Sequence, residues 1–150
     1  PEHKERAPGY DPSLPWISGS ADPESEEWKT AAKVRTALSI AIDRQLIVDT
    51  LLLGEAQPDP VLAWAANVHK LPPELRQWEF NPDKARELLA EAGYPDGFTL
   101  DITPVSGYNY PEVSEAIGQM WELIGVKAKQ QNMTYATIRP HIVDRTYNQG

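Results

Sequence analysis

The chain has 150 residues, 41% of them apolar and five of them Trp, which suits a globular domain with a modest core rather than a disordered segment. Its net charge of −8 disfavours nucleic acid and anionic membrane surfaces, because their phosphates would be repelled. Cysteine is absent, which excludes disulfides and thiolate metal sites, and no apolar run approaches the ~20 residues of a membrane-crossing helix.

From Pro1 to about Glu26 the text is irregular, rich in Pro, Gly, Ser and Asp, with Trp16 and Ile17 as residues that pin it to a surface. A first helix follows, with Val34, Leu38, Ala41 and Ile42 expected on one face. Asp43 caps a second helix, RQLIVDTLLL, which Gly54 is expected to end. Glu55 to Phe80 reads as a Pro-rich connection with Trp64 and Trp78 as packing anchors and a short helical turn around Val61 to Asn67.

The second half is regular. Asn81 caps a helix opened by Pro82, whose Ala85, Leu88, Leu89 and Ala92 form one apolar stripe. Gly93 supplies a left-handed stop, and Pro95-Asp96-Gly97 turns the chain. Phe98, Leu100 and Ile102 then alternate with Thr99, Asp101 and Thr103 in a half-buried strand that Pro104 is expected to end. Pro111 starts a helix with Val113, Ala116, Ile117, Met120 and Ile124 as its stripe, stopped by Gly125. Val126, Ala128 and Gln130 alternate in a second strand, and Thr134 caps a last helix through Ile138, Ile142 and Val143. Strand, helix, strand over so short a span is a βαβ unit with parallel strands and a right-handed crossover, and the fold class is α/β.

Ligands of such sheets sit beyond the carboxyl ends of the strands. The loops there are Ser106 to Tyr110 and Gln131 to Tyr135, whose aromatic and amide side chains suit a polar organic ligand or a neighbouring domain. Other constellations fail. His3, His69 and His141 are far apart and lack partners at metal-ligand spacing, and no phosphate-binding Gly pattern is present. Glu24, Glu26 and Glu27 stand where carboxylates favour a helix N-terminus, which accounts for them without a metal. No catalytic signature is found, so no enzyme activity and no cofactor are expected.

Three runs, AAKVRTALSIAIDRQLIVDTLLLGEAQP, NPDKARELLAEAGYPDGFTLDIT and SEAIGQMWELIGVKAKQQ, resemble the extracytoplasmic solute-binding proteins of the peptide/nickel (oligopeptide- and dipeptide-binding) ABC importer family. The resemblance covers Lys33 to Arg145. It implies a periplasmic-binding-protein-like lobe and a bilobed receptor several times this length, which closes on its solute and docks on a membrane permease. It divides the chain into an irregular segment, 1–32, and a partial C-terminal lobe, 33–150. Pro1 in place of Met, and Gly150 with no closing element before it, agree with a segment of a longer protein.

By the same resemblance, Tyr135 lines the ligand cleft, and the polar stretch before the central helix, Tyr108 and Asn109, faces it. The resemblance further implies a peptide or similar polar solute and a periplasmic or extracellular receptor, with a lipid-tethered form among the expectations. Two features depart from the family pattern: Pro140 is expected to interrupt the last helix, and Gln57 to Pro73 differs from the usual text. The alternative is a free-standing interaction or sensor module built on the same lobe. For the 150-residue chain alone, self-association through uncovered apolar patches is expected.

Overall fold

The computed structural model describes residues 8–58, 70, 72, 79–107 and 111–146. The expected anchors Trp64 and Trp78, the turn from Val61 to Asn67, and the loop residues Tyr108 and Asn109 lie outside the described residues. Five helices and four short strands follow in the order α1 (Glu26–Ile40), α2 (Arg44–Thr50), α3 (Pro82–Glu91), β1 (Thr99–Ile102), β2 (Val105–Ser106), α4 (Pro111–Glu122), β3 (Lys127–Gln130), β4 (Met133–Thr134) and α5 (Tyr135–Val143) among the described residues.

Four of the helices, α1, α2, α3 and α5, begin where a cap dictates. The side chains of Ser25, Asp43, Asn81 and Thr134 accept from the backbone N–H of Trp28, Leu46, Lys84 and Thr137, satisfying donors that the first turn leaves unpaired. The expected second helix is shorter than its text. It ends at Thr50 because Leu53 (φ 51°) and Gly54 (φ 78°) enter the left-handed region, and Gly54 N–H closes back on the Val48 carbonyl at 2.9 Å. Contrary to the expectation from the sequence, Pro140 does not interrupt α5. The helix runs through it and the Pro140 carbonyl accepts from Asp144 N–H at 2.8 Å, so only the donor that proline lacks is missing.

The core lies between α1, α3 and the sheet, and joins Val34, Ala37, Ile40, Ala41, Ala85, Leu89, Leu100, Ile124 and Val126. The buried face of α1 is Ala31, Val34, Ala37 and Ile40; Leu38 and Ile42, expected inside, are half-buried. Small residues allow α1 and α3 to approach closely, and Ala37 and Ala85 are buried completely together with Val34 and Leu89. Two hydrogen bonds fix the ends. Asn81 N–H donates to the Ile40 carbonyl at 2.8 Å, and the Trp121 indole N–H donates to the Leu38 carbonyl at 2.8 Å.

The strands are parallel. β1 pairs with β3, Thr99 opposite Lys127 to Ile102 opposite Gln130, and β2 pairs with β4, Val105 opposite Met133 and Ser106 opposite Thr134. Partners are 28 positions apart in both ladders, so these are two stretches of one parallel pair. Between them Gln131 N–H donates to the Ile102 carbonyl (2.9 Å) and Met133 N–H to the Pro104 carbonyl (3.1 Å). The parallel alternation calls for a donor from residue 104 to the Gln131 carbonyl, and proline has none. Pro104 therefore splits the ladder without ending it, and Gln131 and Asn132, expected in a ligand loop, lie alongside the pair.

Candidate functional site at the strand ends

The carboxyl end of this pair is where ligand contacts were expected. On one strand the chain leaves Ser106 through Gly107, whose φ of 88° is a backbone state that other residues rarely adopt. On the neighbouring strand Thr134 closes the ladder and caps α5 at once, its Oγ1 accepting from Thr137 N–H at 3.2 Å and lying 2.9 Å from Thr137 Oγ1. Ser106 and Thr134 are register partners, so the next residues, Gly107 and Tyr135, emerge side by side. Tyr135 opens α5 and is 45% exposed. Tyr108 and Asn109 follow Gly107 directly but lie outside the described residues, so of the three residues singled out in the sequence only Tyr135 has a described position.

The surroundings are polar and accessible. Ser106, Gly107, Thr134, Tyr135, Ala136 and Thr137 are all exposed, and no buried residue belongs to α5. The first turn of α5 carries no acidic side chain, so the partial positive charge of its N-terminus is not offset locally, and His141 stands in its last turn, where a cation is favoured. The shifted ionisable groups lie elsewhere. The Ser13 hydroxyl and N–H hold Asp11 below the usual carboxylate range, the Lys84 ammonium and the Asn81 amide do the same for Glu79, and burial lowers Arg44, which donates to the Ser39 and Ile42 carbonyls at the end of α1. Among the described residues no group of His, Asp or Glu side chains is placed to hold a metal ion.

A concavity away from the strand ends was not foreseen. Trp16, Leu38, Leu100, Ile102 and Trp121 line an apolar trough of about 270 Å³ beside β1. The sequence singled out Trp16 only as a pin and passed over Trp121. The available signal was its place one turn after Ile117, on the core-facing stripe of α4.

The model of the family described as bacterial extracellular solute-binding proteins, family 5 Middle, matches residues 22–149. Heme-binding protein A of Haemophilus influenzae is 36% identical over 116 residues, covering 71% of this chain and 20% of that protein. Glutathione-binding protein GsiB of Salmonella typhimurium is 38% identical over 105 residues, covering 65% of this chain and 19% of that protein. Among solved structures, HbpA2 from Haemophilus parasuis superimposes with a TM-score of 0.64 at 31% identity, covering 86% of this chain and 26% of that one. The chain thus spans about a fifth of the length of these curated relatives. Its lobe is periplasmic-binding-protein-like, and the relatives bind solutes rather than catalyse reactions. The chain belongs to the bacterial extracellular solute-binding proteins, family 5.

Proposed function

We propose that the chain is part of the C-terminal lobe, residues 33–150, of a solute receptor that serves an ABC importer. The receptor captures a peptide or similar polar solute between two lobes, outside the cytoplasmic membrane, and presents it to a permease. Tyr135, with Tyr108 and Asn109, forms part of this lobe's wall of the cleft. The observation that carries the reading is the emergence of Gly107 and Tyr135 side by side at the carboxyl ends of paired parallel strands, in a chain of this family. Relatives named for heme and for glutathione support a polar or amphipathic organic solute.

The test is Tyr135→Ala in the full-length receptor. Loss of a cleft aromatic raises the solute dissociation constant roughly tenfold. Because Tyr135 is 45% exposed, the melting temperature stays within about 3 °C of wild type. Unchanged affinity would remove Tyr135 from the cleft.

A further inference from the structure

Charge is distributed unevenly along this chain. It has 22 Asp and Glu against 14 Lys and Arg, yet no acid lies between Glu122 and Asp144, a stretch that runs through β3, β4 and α5. None lies between Asp101 and Glu112 either, where β1 ends and β2 forms. The two stretches come together at the carboxyl ends of the strand pair, where Ser106 and Thr134 are register partners. The next acid along the chain, Glu112, stands in the first turn of α4, where the N-terminus of its own helix favours it.

Arg139 is the one Lys or Arg of α5. It follows Tyr135 by four residues, so the two share a helix face one turn apart, and it is exposed. Elsewhere the cations are engaged. In the first three helices Lys29, Lys33, Lys84 and Arg86 pair with carboxylates, while Arg35 and Arg44 donate to backbone carbonyls. The Arg139 side chain makes no ion pair or hydrogen bond with the described residues. His141 stands near the far end of α5, its Nδ1 3.1 Å from Thr146 Oγ1.

We propose that Arg139 determines specificity at this wall by binding a carboxylate of the solute, with Tyr135 packed on the part of the solute beside it. This rests on the reading of the strand ends as part of the cleft. A planar guanidinium meets a planar carboxylate through two parallel N–H···O bonds, which closure of a cleft shields from water. α5 supplies no second Lys or Arg, so the wall matches the single charge of a carboxylate better than the nearly double charge of a phosphate.

The test uses the full-length receptor and two probes, trialanine with a free C-terminal carboxylate and the same tripeptide as its C-terminal amide. Calorimetry compares wild type with Arg139→Gln and Arg139→Lys, each variant first checked for a native melting transition. Wild type is expected to bind the acid at least roughly tenfold more tightly than the amide. Arg139→Gln should bring the two within about twofold by weakening the acid alone, and Arg139→Lys should keep part of the preference. A wild type without preference, a preference that survives Arg139→Gln, or equal weakening of both probes overturns the carboxylate assignment and leaves the receptor reading in place. A wild type that binds neither probe removes the peptide-receptor reading, and the assignment falls with it.

Discussion

Gly97 and Gly125 both have positive φ, at 72° and 85°, and the turns that carry them pass so closely that a Cβ on Gly97 would lie 1.9 Å from the Gly125 carbonyl oxygen. These turns start β1 and β3, so their contact sets where the parallel pair begins, with Lys127 N–H donating to the Phe98 carbonyl at 2.8 Å. Gly97→Ala is expected to destabilise the fold by about 3 kcal/mol, combining left-handed strain with a backbone clash, and urea unfolding measures it. Asn81→Ala removes the acceptor for Lys84 N–H and is expected to cost about 1 kcal/mol, since the Asn81 backbone N–H still holds the Ile40 carbonyl. Such residues were legible because caps and left-handed glycines act through their own neighbours in sequence. Pro104 was misread for the opposite reason. Proline signals a stop locally, yet its carbonyl keeps accepting from a strand 29 residues away, at Met133.

At the level of elements, α3 is the best-determined piece, with its cap, its stripe and its Gly93 stop all as the sequence announces. Leu89 is 1% exposed in the core that α3 shares with α1. Leu89→Ala is expected to cost about 2–5 kcal/mol in a denaturation curve. Just before α3, Glu79 accepts from the Lys84 ammonium at 3.1 Å and from the Asn81 amide at 3.2 Å, which depresses its pKa. Its contribution is present above the unfolded carboxylate pKa and fades as pH falls through the lowered folded value. A carboxyl NMR titration should therefore place its midpoint below that of a model Glu, and Lys84→Ala should raise it. The face of α1 was only partly legible, because a reading by hydrophobicity ranks Leu38 above Ala37. Close helix packing reverses that order, burying the alanine completely and leaving the leucine at the trough.

As a whole, the molecule carries apolar surface that its own described residues do not cover. Leu46, Leu51 and Leu53 are 49%, 41% and 81% exposed around α2, and Val143 is 62% exposed near the end of α5. The 150-residue chain is expected to self-associate, seen as a sedimentation coefficient that rises with concentration, and a profile that stays monomeric would count against it. It is also expected to bind no peptide with submicromolar affinity, because a cleft between lobes needs both walls, and calorimetry with short peptides checks this. Sequence periodicity identified the βαβ unit and both strands, and the structure pairs them in parallel. The trough could not be read that way, since it joins Trp16, Leu38, Ile102 and Trp121 from separate elements, and only the folded packing brings them together.

The constant offset of 28 between strand partners governs where this lobe tolerates changes of length. Residues added between Gly107 and Pro111 enlarge the offset equally for both ladders, so every rung survives and only the connection at the strand ends grows. A single residue added at Thr103-Pro104 or at Gln131-Asn132 shifts the second ladder alone, taking Ser106 off Thr134 and Gly107 away from Tyr135. Variation in length is thus channelled to the segment between Gly107 and Pro111, at the rim of the proposed cleft, while the few residues joining the two ladders are held to a fixed count.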